Sequence, residues 1–153
     1  MNGIRNLKKI LSKSVYSAET NYIIPFHDVD MFEIVWYGNF IKYLEIGREK
    51  LANALNINFY NFKKNNITVP VVELNICYNS PVKYADEITI IGHFIPLYKM
   101  ILRMGFEIYN INRELIAIAV TDQAFLMNNC LILIYDEFMD NFIPENLREY
   151  FGK

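Results

Sequence analysis

The chain has 153 residues, 53% of them hydrophobic and 15% aromatic, with 15 basic residues against 17 acidic ones and a formal net charge of -2. A chain of this length forms one domain and buries roughly two-thirds of its unfolded surface without help from a disulfide or metal. Its charge balance argues against a dedicated nucleic-acid binder, and no apolar run approaches the length of a membrane span.

Cys77 and Cys130 stand among apolar neighbours without a C-x-x-C spacing and read as two buried thiols of a reducing compartment, here expected to be the cytoplasm. With only His27 and His93 to draw on, no metal site is expected. The phosphate-binding glycine motifs and the G-x-S-x-G elbow of serine hydrolases are missing from the sequence.

Residues 1–20 carry Arg5, Lys8, Lys9 and Lys13 with no acid before Glu19, and Ile4, Leu7 and Leu11 recur at helical spacing. A short basic amphipathic helix is compatible with this pattern, as is a transit-type peptide. A partly ordered basic leader is the expectation adopted, with the folded domain running over 21–153.

Residues 22–26 are apolar and β-branched enough for a strand, which leads into the polar and aromatic segment H-D-V-D-M-F-E-I-V-W-Y-G-N-F. After Gly38, Phe40, Leu44, Gly47, Leu51 and Leu55 fall at three- and four-residue spacing between charged positions, which predicts a helix of about four turns. Gly47 costs that helix about 1 kcal/mol relative to Ala, which implies close approach to whatever it packs on. The period then falls to two over 72–78, and further strands are predicted over 88–95, 101–110 and 115–127 with short links between them. Such links join antiparallel neighbours. The run 131–135 fits a last strand or the start of a tail helix, and the tail is predicted helical from Glu145. The fold class is therefore α+β, one long helix against an antiparallel sheet, with a second copy of the chain expected to close the remaining surface.

Chemistry concentrates between the first strand and the helix. A helix start offers unpaired N–H groups and partial positive charge, which suit a carbonyl oxygen that becomes negative during acyl transfer. A carboxylate facing the same point can attack the carbonyl or activate water. The run D-V-D-M-F-E-I-V-W-Y-G-N-F-I-K-Y-L-E, followed by V-P-V-V-E-L-N-I-C-Y-N-S-P-V-K-Y-A-D-E, resembles the 4-hydroxybenzoyl-CoA thioesterase family over about residues 20 to 130. The resemblance implies the hot-dog fold, an antiparallel sheet wrapped around one central helix, assembled as a homodimer or homotetramer. It implies hydrolysis of a thioester of coenzyme A or acyl carrier protein, with no cofactor.

Position by position, it gives Asp30 as nucleophile or base and Tyr37 as the residue whose N–H binds the thioester carbonyl. Trp36 is given as a shaper of the acyl pocket and Asn39 as the polar residue that fixes the turn. Where many members have Gly this chain has Glu33, which could crowd the turn or act on Asp30 by like-charge repulsion. That departure motivates the alternative of a non-catalytic acyl-thioester binding module. Asp28 and His27 are read as structural, and Glu73 as a solvated or interface residue. Lys83, Lys99, Arg103 and Arg113 are bases that could meet carrier phosphates.

Overall fold

The structure is a computed structural model that describes residues 2–152. Helix α1 (Asn2–Leu11) leads into strand β1 (Tyr16–Ile23); the long helix α2 (Phe40–Ala54) and short α3 (Phe59–Lys64) follow. Then come β2 (Ile67–Thr68), β3 (Val71–Tyr78), β4 (Glu87–Ile95), β5 (Ile101–Asn110), β6 (Leu115–Ala124), β7 (Leu126–Met127) and β8 (Cys130–Leu131). The chain ends in two 3-10 segments, Glu137–Asn141 and Glu145–Phe151.

The main sheet is antiparallel throughout and ordered β1-β4-β5-β6-β3, while β2, β7 and β8 form a small separate sheet. Its inner face is built by strict alternation. Ile90, Phe94, Met104, Phe106, Ala117 and Ala119 belong to one buried cluster with Phe40, Tyr43, Leu44 and Leu51 of α2. This is the hot-dog arrangement, a sheet curled about one long helix, and the predicted periods of 3.6 and 2 placed these elements within a few residues.

Helix and sheet touch backbone to backbone at two glycines. A Cβ on Gly92 would lie 2.9 Å from the Gly47 carbonyl oxygen, and one on Gly47 would lie 2.8 Å from Ile90 Cγ2. The helix-weakening glycine is thus explained by the close approach it permits.

Of residues 1–20, expected as a leader, the described ones, 2–20, pack with the domain: they include α1 and the first five residues of β1. Leu7 and Leu11 sink into a second cluster with Ile95, Ile118 and Val120 on the outer face of the sheet. A Cβ on Gly105 would strike Leu11 at 2.7 Å. The helical spacing of Ile4, Leu7 and Leu11 is what this docking uses, and the lysines between them remain on the solvent side. The first strand also starts six residues earlier than predicted. As an edge strand with polar residues alternating along it, β1 lacks the continuous apolar run that marks a buried strand.

The run after Met127 is neither a full strand nor a helix. β8 takes two residues, and the tail returns to pack Met139, Phe142, Ile143, Leu147 and Phe151 into the main core.

Gly92→Ala is expected to lower stability by about 1–3 kcal/mol, because the methyl meets backbone that cannot move aside alone. In a 153-residue protein that is a Tm loss of several degrees by calorimetry. A variant melting at or above wild type, as relief from glycine flexibility would give, would show that this contact does not limit the packing.

Candidate active site

The segment between β1 and α2 is held by its own hydrogen bonds and by one buried carboxylate. Pro25 starts a 3-10 turn over Phe26–Asp28, and the Val29 and Val35 backbones pair as an antiparallel bridge. Between them the Asp30 N–H donates to the Ile34 carbonyl at 2.9 Å and the Glu33 N–H to the Asp30 carbonyl at 3.0 Å. Asp30 Oδ1 accepts the Phe32 N–H at 2.8 Å. This is a three-residue hairpin whose last loop residue adopts the left-handed conformation, a position that favours glycine. Glu33 occupies it with φ 61°. The position where the resemblance implies a glycine is thus one where a side chain costs about 1–2 kcal/mol. Glu33 itself is exposed.

Beyond the hairpin, the Trp36 N–H donates to the Asp28 carbonyl at 3.0 Å, and Asn39 Nδ2 donates to the same oxygen at 2.8 Å. Tyr37–Asn39 then makes one 3-10 turn that runs directly into α2. Tyr37 is the first residue of this turn, so its N–H has no acceptor within the turn. The Tyr37 carbonyl accepts the Tyr78 hydroxyl at 3.2 Å, which ties the helix entry to β3. The Trp36 ring lies over Gly38, where a Cβ would fall 2.1 Å from it, and packs against the Tyr37 ring at 5.1 Å.

Asp28 is the anchor. It is 1% exposed, and its carboxylate accepts from Tyr43 Oη at 2.8 Å and from Lys42 Nζ, both in the first turns of α2. His27 Nε2 stands 3.6 Å away. Burial alone would raise this carboxyl, but the hydrogen bonds from Lys42 and Tyr43 and the charge of Lys42 outweigh it, so Asp28 titrates below the ordinary carboxylate range. Burial and the bond to Asp28 push the Tyr43 phenol far up, which keeps it a neutral donor.

An apolar cleft of about 290 Å³ opens at the helix entry, lined by Ile34, Val35, Tyr37, Phe40, Tyr78, Asn79, Ser80, Pro81 and Val82. Of the four residues singled out from the sequence, Tyr37 lines this cleft. Asn39 secures the loop beneath it, Trp36 sits half-exposed over Gly38, and Asp30 lies at the hairpin turn and is not among the lining residues.

Sequence reasoning missed Tyr78 and the paired role of Lys42 and Tyr43. Tyr78 looked like one more aromatic of an alternating strand. Lys42 and Tyr43 could have been found only by noting that adjacent polar groups at a helix start can both reach back to a preceding acid. Among the bases, Arg103 makes a two-pronged pair with Asp122 at 2.6 and 2.5 Å, and Arg113 lies 3.6 Å from Glu19. Lys83 and Lys99 are exposed, and the Lys83 backbone bridges to Ile34 beside the cleft. Among the described residues there is no grouping of three or more His, Cys, Asp or Glu that could hold a metal ion. No described helix is long and apolar enough to cross a membrane.

Known proteins resemble this chain in both sequence and shape. YneP of Bacillus subtilis (strain 168), a provisionally named acyl-CoA thioesterase, is 29% identical over 93 residues, which are 60% of this chain and 67% of YneP. The DHNA-CoA thioesterase of Staphylococcus aureus superposes with a TM-score of 0.76 at 18% identity, covering 88% of each chain. A 4-hydroxybenzoyl-CoA thioesterase, crystallised as an Asp-to-Asn mutant complexed with 4-hydroxybenzoyl-CoA, superposes with a TM-score of 0.70 at 18% identity over 82% of this chain and 98% of that one. The sequence pattern of the Thioesterase-like superfamily matches residues 24–144, from just after β1 through α2 and β2 to β8 and into the C-terminal tail. With that match across most of its length, the chain belongs to the thioesterase-like superfamily and is a thioester hydrolase built on the hot-dog fold.

Proposed function

We propose that the protein hydrolyses an acyl thioester of coenzyme A or acyl carrier protein, with the thioester carbonyl received at the Tyr37 N–H and Asp30 supplying the carboxylate. The observation that carries this reading is the entry to α2. The Tyr37 N–H opens a turn at the rim of an apolar cleft, on a loop fixed from below by Asp28 and Asn39.

As the carbonyl carbon becomes tetrahedral, its oxygen gains charge, and one preorganised donor there is worth about 3–4 kcal/mol in the transition state. Asp30 acts in one of two ways. It adds to the carbonyl carbon, expels the thiolate and leaves an acyl-aspartate anhydride that water cleaves, or it takes a proton from water as that water adds. In both routes one water is consumed and a carboxylic acid and a thiol leave. The bond from Phe32 engages Oδ1 of Asp30, and among the described residues Oδ2 has no partner, so one oxygen stands free for this work.

Ile34, Val35, Phe40 and Val82 give the cleft an apolar wall for the acyl group, and Trp36 shields its rim. Arg103 and Arg113 are engaged in ion pairs, so Lys83, next to cleft residue Val82, is the best placed of the four bases for a carrier phosphate.

The working unit we propose is a homodimer joined along β3. That strand is an edge of the sheet, exposed along most of its length, with Val71, Val72, Leu74 and Tyr78 open to solvent beside Ile41 of α2. An apolar strand edge of this kind is a template for pairing with another strand, and pairing there would also cover the open side of the cleft at Tyr78.

The two aspartates are expected to separate on substitution. Asp30→Asn keeps the turn, since Asn makes the same bond to the Phe32 N–H, and should melt as wild type while losing most thiol release from acyl-CoA; wild-type turnover across an acyl-CoA panel would remove Asp30 from the mechanism. Asp28→Asn takes the charge from a buried hydrogen-bonded site and should cost about 1–3 kcal/mol at neutral pH.

Because folding depresses the Asp28 pKa, its contribution is complete above the unfolded value of about 3.9 and is lost as pH falls through the lower folded value. Urea titrations should therefore show the gap between wild type and Asp28→Asn closing below about pH 4. A gap that stays constant down to the acid transition would assign Asp28 no role through its charge. For the dimer, Val72→Lys should yield a monomer by analytical ultracentrifugation with reduced thiol release; a variant of unchanged mass would place the interface elsewhere.

A further inference from the structure

The inner face of β6 reads Ala117, Ala119, Thr121 and Gln123. Its first two members are small and lie in the apolar core against α2. The next two are polar and buried, Thr121 at 7% and Gln123 at 1% exposure. Thr121 Oγ1 and Gln123 Nε2 have no hydrogen-bond partner among the described residues. Their strand neighbours offer none: Thr121 lies between Leu74 of β3 and Met104 of β5, and Gln123 between Val71 and Leu102. Buried polar groups in native proteins are paired, and an orphan calls for a specific explanation.

This strip begins at the cleft, because Tyr78, which lines the cleft and binds the Tyr37 carbonyl, pairs with Ala117. Four residues further along the strand, about 13 Å at strand rise, lies Thr121. Its cross-strand neighbour Leu74 is 38% exposed, so the strip, itself buried, runs beside the open edge of the sheet.

We infer that Thr121 and Gln123 form a hydrogen-bonding end to the acyl site, which selects acyl groups carrying a hydroxyl or carbonyl oxygen far from the thioester. This rests on the proposed placement of the thioester at Tyr37. An acyl chain entering there and lying along β6 brings its far end to the two unpaired groups. The Gln123 amide donates to an oxygen, and the Thr121 hydroxyl both donates and accepts. A purely apolar chain would leave both groups unpaired, which is the arrangement by which sites reject an analogue lacking one polar atom.

The test compares decanoyl-CoA with ω-hydroxydecanoyl-CoA on wild type, Thr121→Val, Thr121→Ser and Gln123→Met, reading thiol release and, separately, the Tm shift on binding. Wild type is expected to favour the hydroxylated ester by roughly tenfold or more in kcat/KM. The preference should vanish in Thr121→Val and Gln123→Met and survive in Thr121→Ser. Thr121→Val removes an unpaired buried hydroxyl and should melt no lower than wild type, and Gln123→Met provides an independent arm if it does.

Equal ratios in all four proteins, or a wild-type preference for the plain chain, overturns the inference while leaving hydrolysis intact. A binding preference without thiol release supports the polar end and overturns the hydrolytic reading. Failure of wild type to bind or cleave either ester overturns both.

Discussion

The close seat of α2 on the sheet at Gly47 and Gly92 is the constraint on which the rest of the molecule depends. Side chains on both surfaces would hold helix and sheet apart; here a helix carbonyl oxygen lies 2.9 Å from where a strand Cβ would be. That proximity lets one helix fill the concave face, with Leu44 and Leu51 on either side of the contact sharing a single buried cluster with Ile90, Phe94 and Phe106. It also fixes where the helix begins. Once the middle of α2 is pinned, Phe40 meets the ring of Tyr78 at 5.1 Å, and the entry turn is delivered to the end of β3. The site is therefore a consequence of the core packing, with the loop added on top.

Asp28 converts that fixed helix into a fixed loop. A buried carboxylate without partners would neutralise itself or unfold its surroundings. This one receives two donors from consecutive residues of α2, while its backbone carbonyl receives two more from Trp36 and Asn39. Four hydrogen bonds converge on one residue, so the loop between it and the helix has little freedom left. Asp30, two residues on, has the opposite environment: it is only partly buried, and the one hydrogen bond of its carboxylate among the described residues serves the hairpin. Two acids of the same motif thus differ in environment, because Asp28 is enclosed by cationic and phenolic donors and Asp30 is not.

This division shows where sequence reasoning reached and where it stopped. The helix and the β3 to β6 strands were legible because each carries one periodic apolar face, and Gly47 announced its contact by its cost. The first 20 residues were misjudged because basic composition says nothing about whether three apolar side chains will find a complementary surface. Ile95, Ile118 and Val120 form that surface, and they come from strands about a hundred residues away in sequence. Asp28 and Asp30 were weighed from the family pattern, which ranks positions but does not report that Lys42 and Tyr43 both turn back to Asp28. Thr121 and Gln123 were invisible for a related reason. In a strand buried on both faces nothing in the alternation distinguishes a polar residue with a partner from one without.

The apolar excess of the composition also has two distinct destinations. Part of it fills the two cores on either face of the sheet. Another part is exposed along β3, at Val71, Val72, Leu74 and Tyr78. An edge strand that was only a boundary would be expected to carry charges or a proline to discourage pairing. β3 has Glu73 as its one charge, and Glu73 points to the outer face by its register opposite Asp122. The inner-facing positions Leu74, Ile76 and Tyr78 are uncharged, and they border the same strip that runs from the cleft to Thr121. A strand paired along that edge would cover the same side of the sheet on which Tyr78 lines the cleft, so the exposed edge and the cleft share one surface.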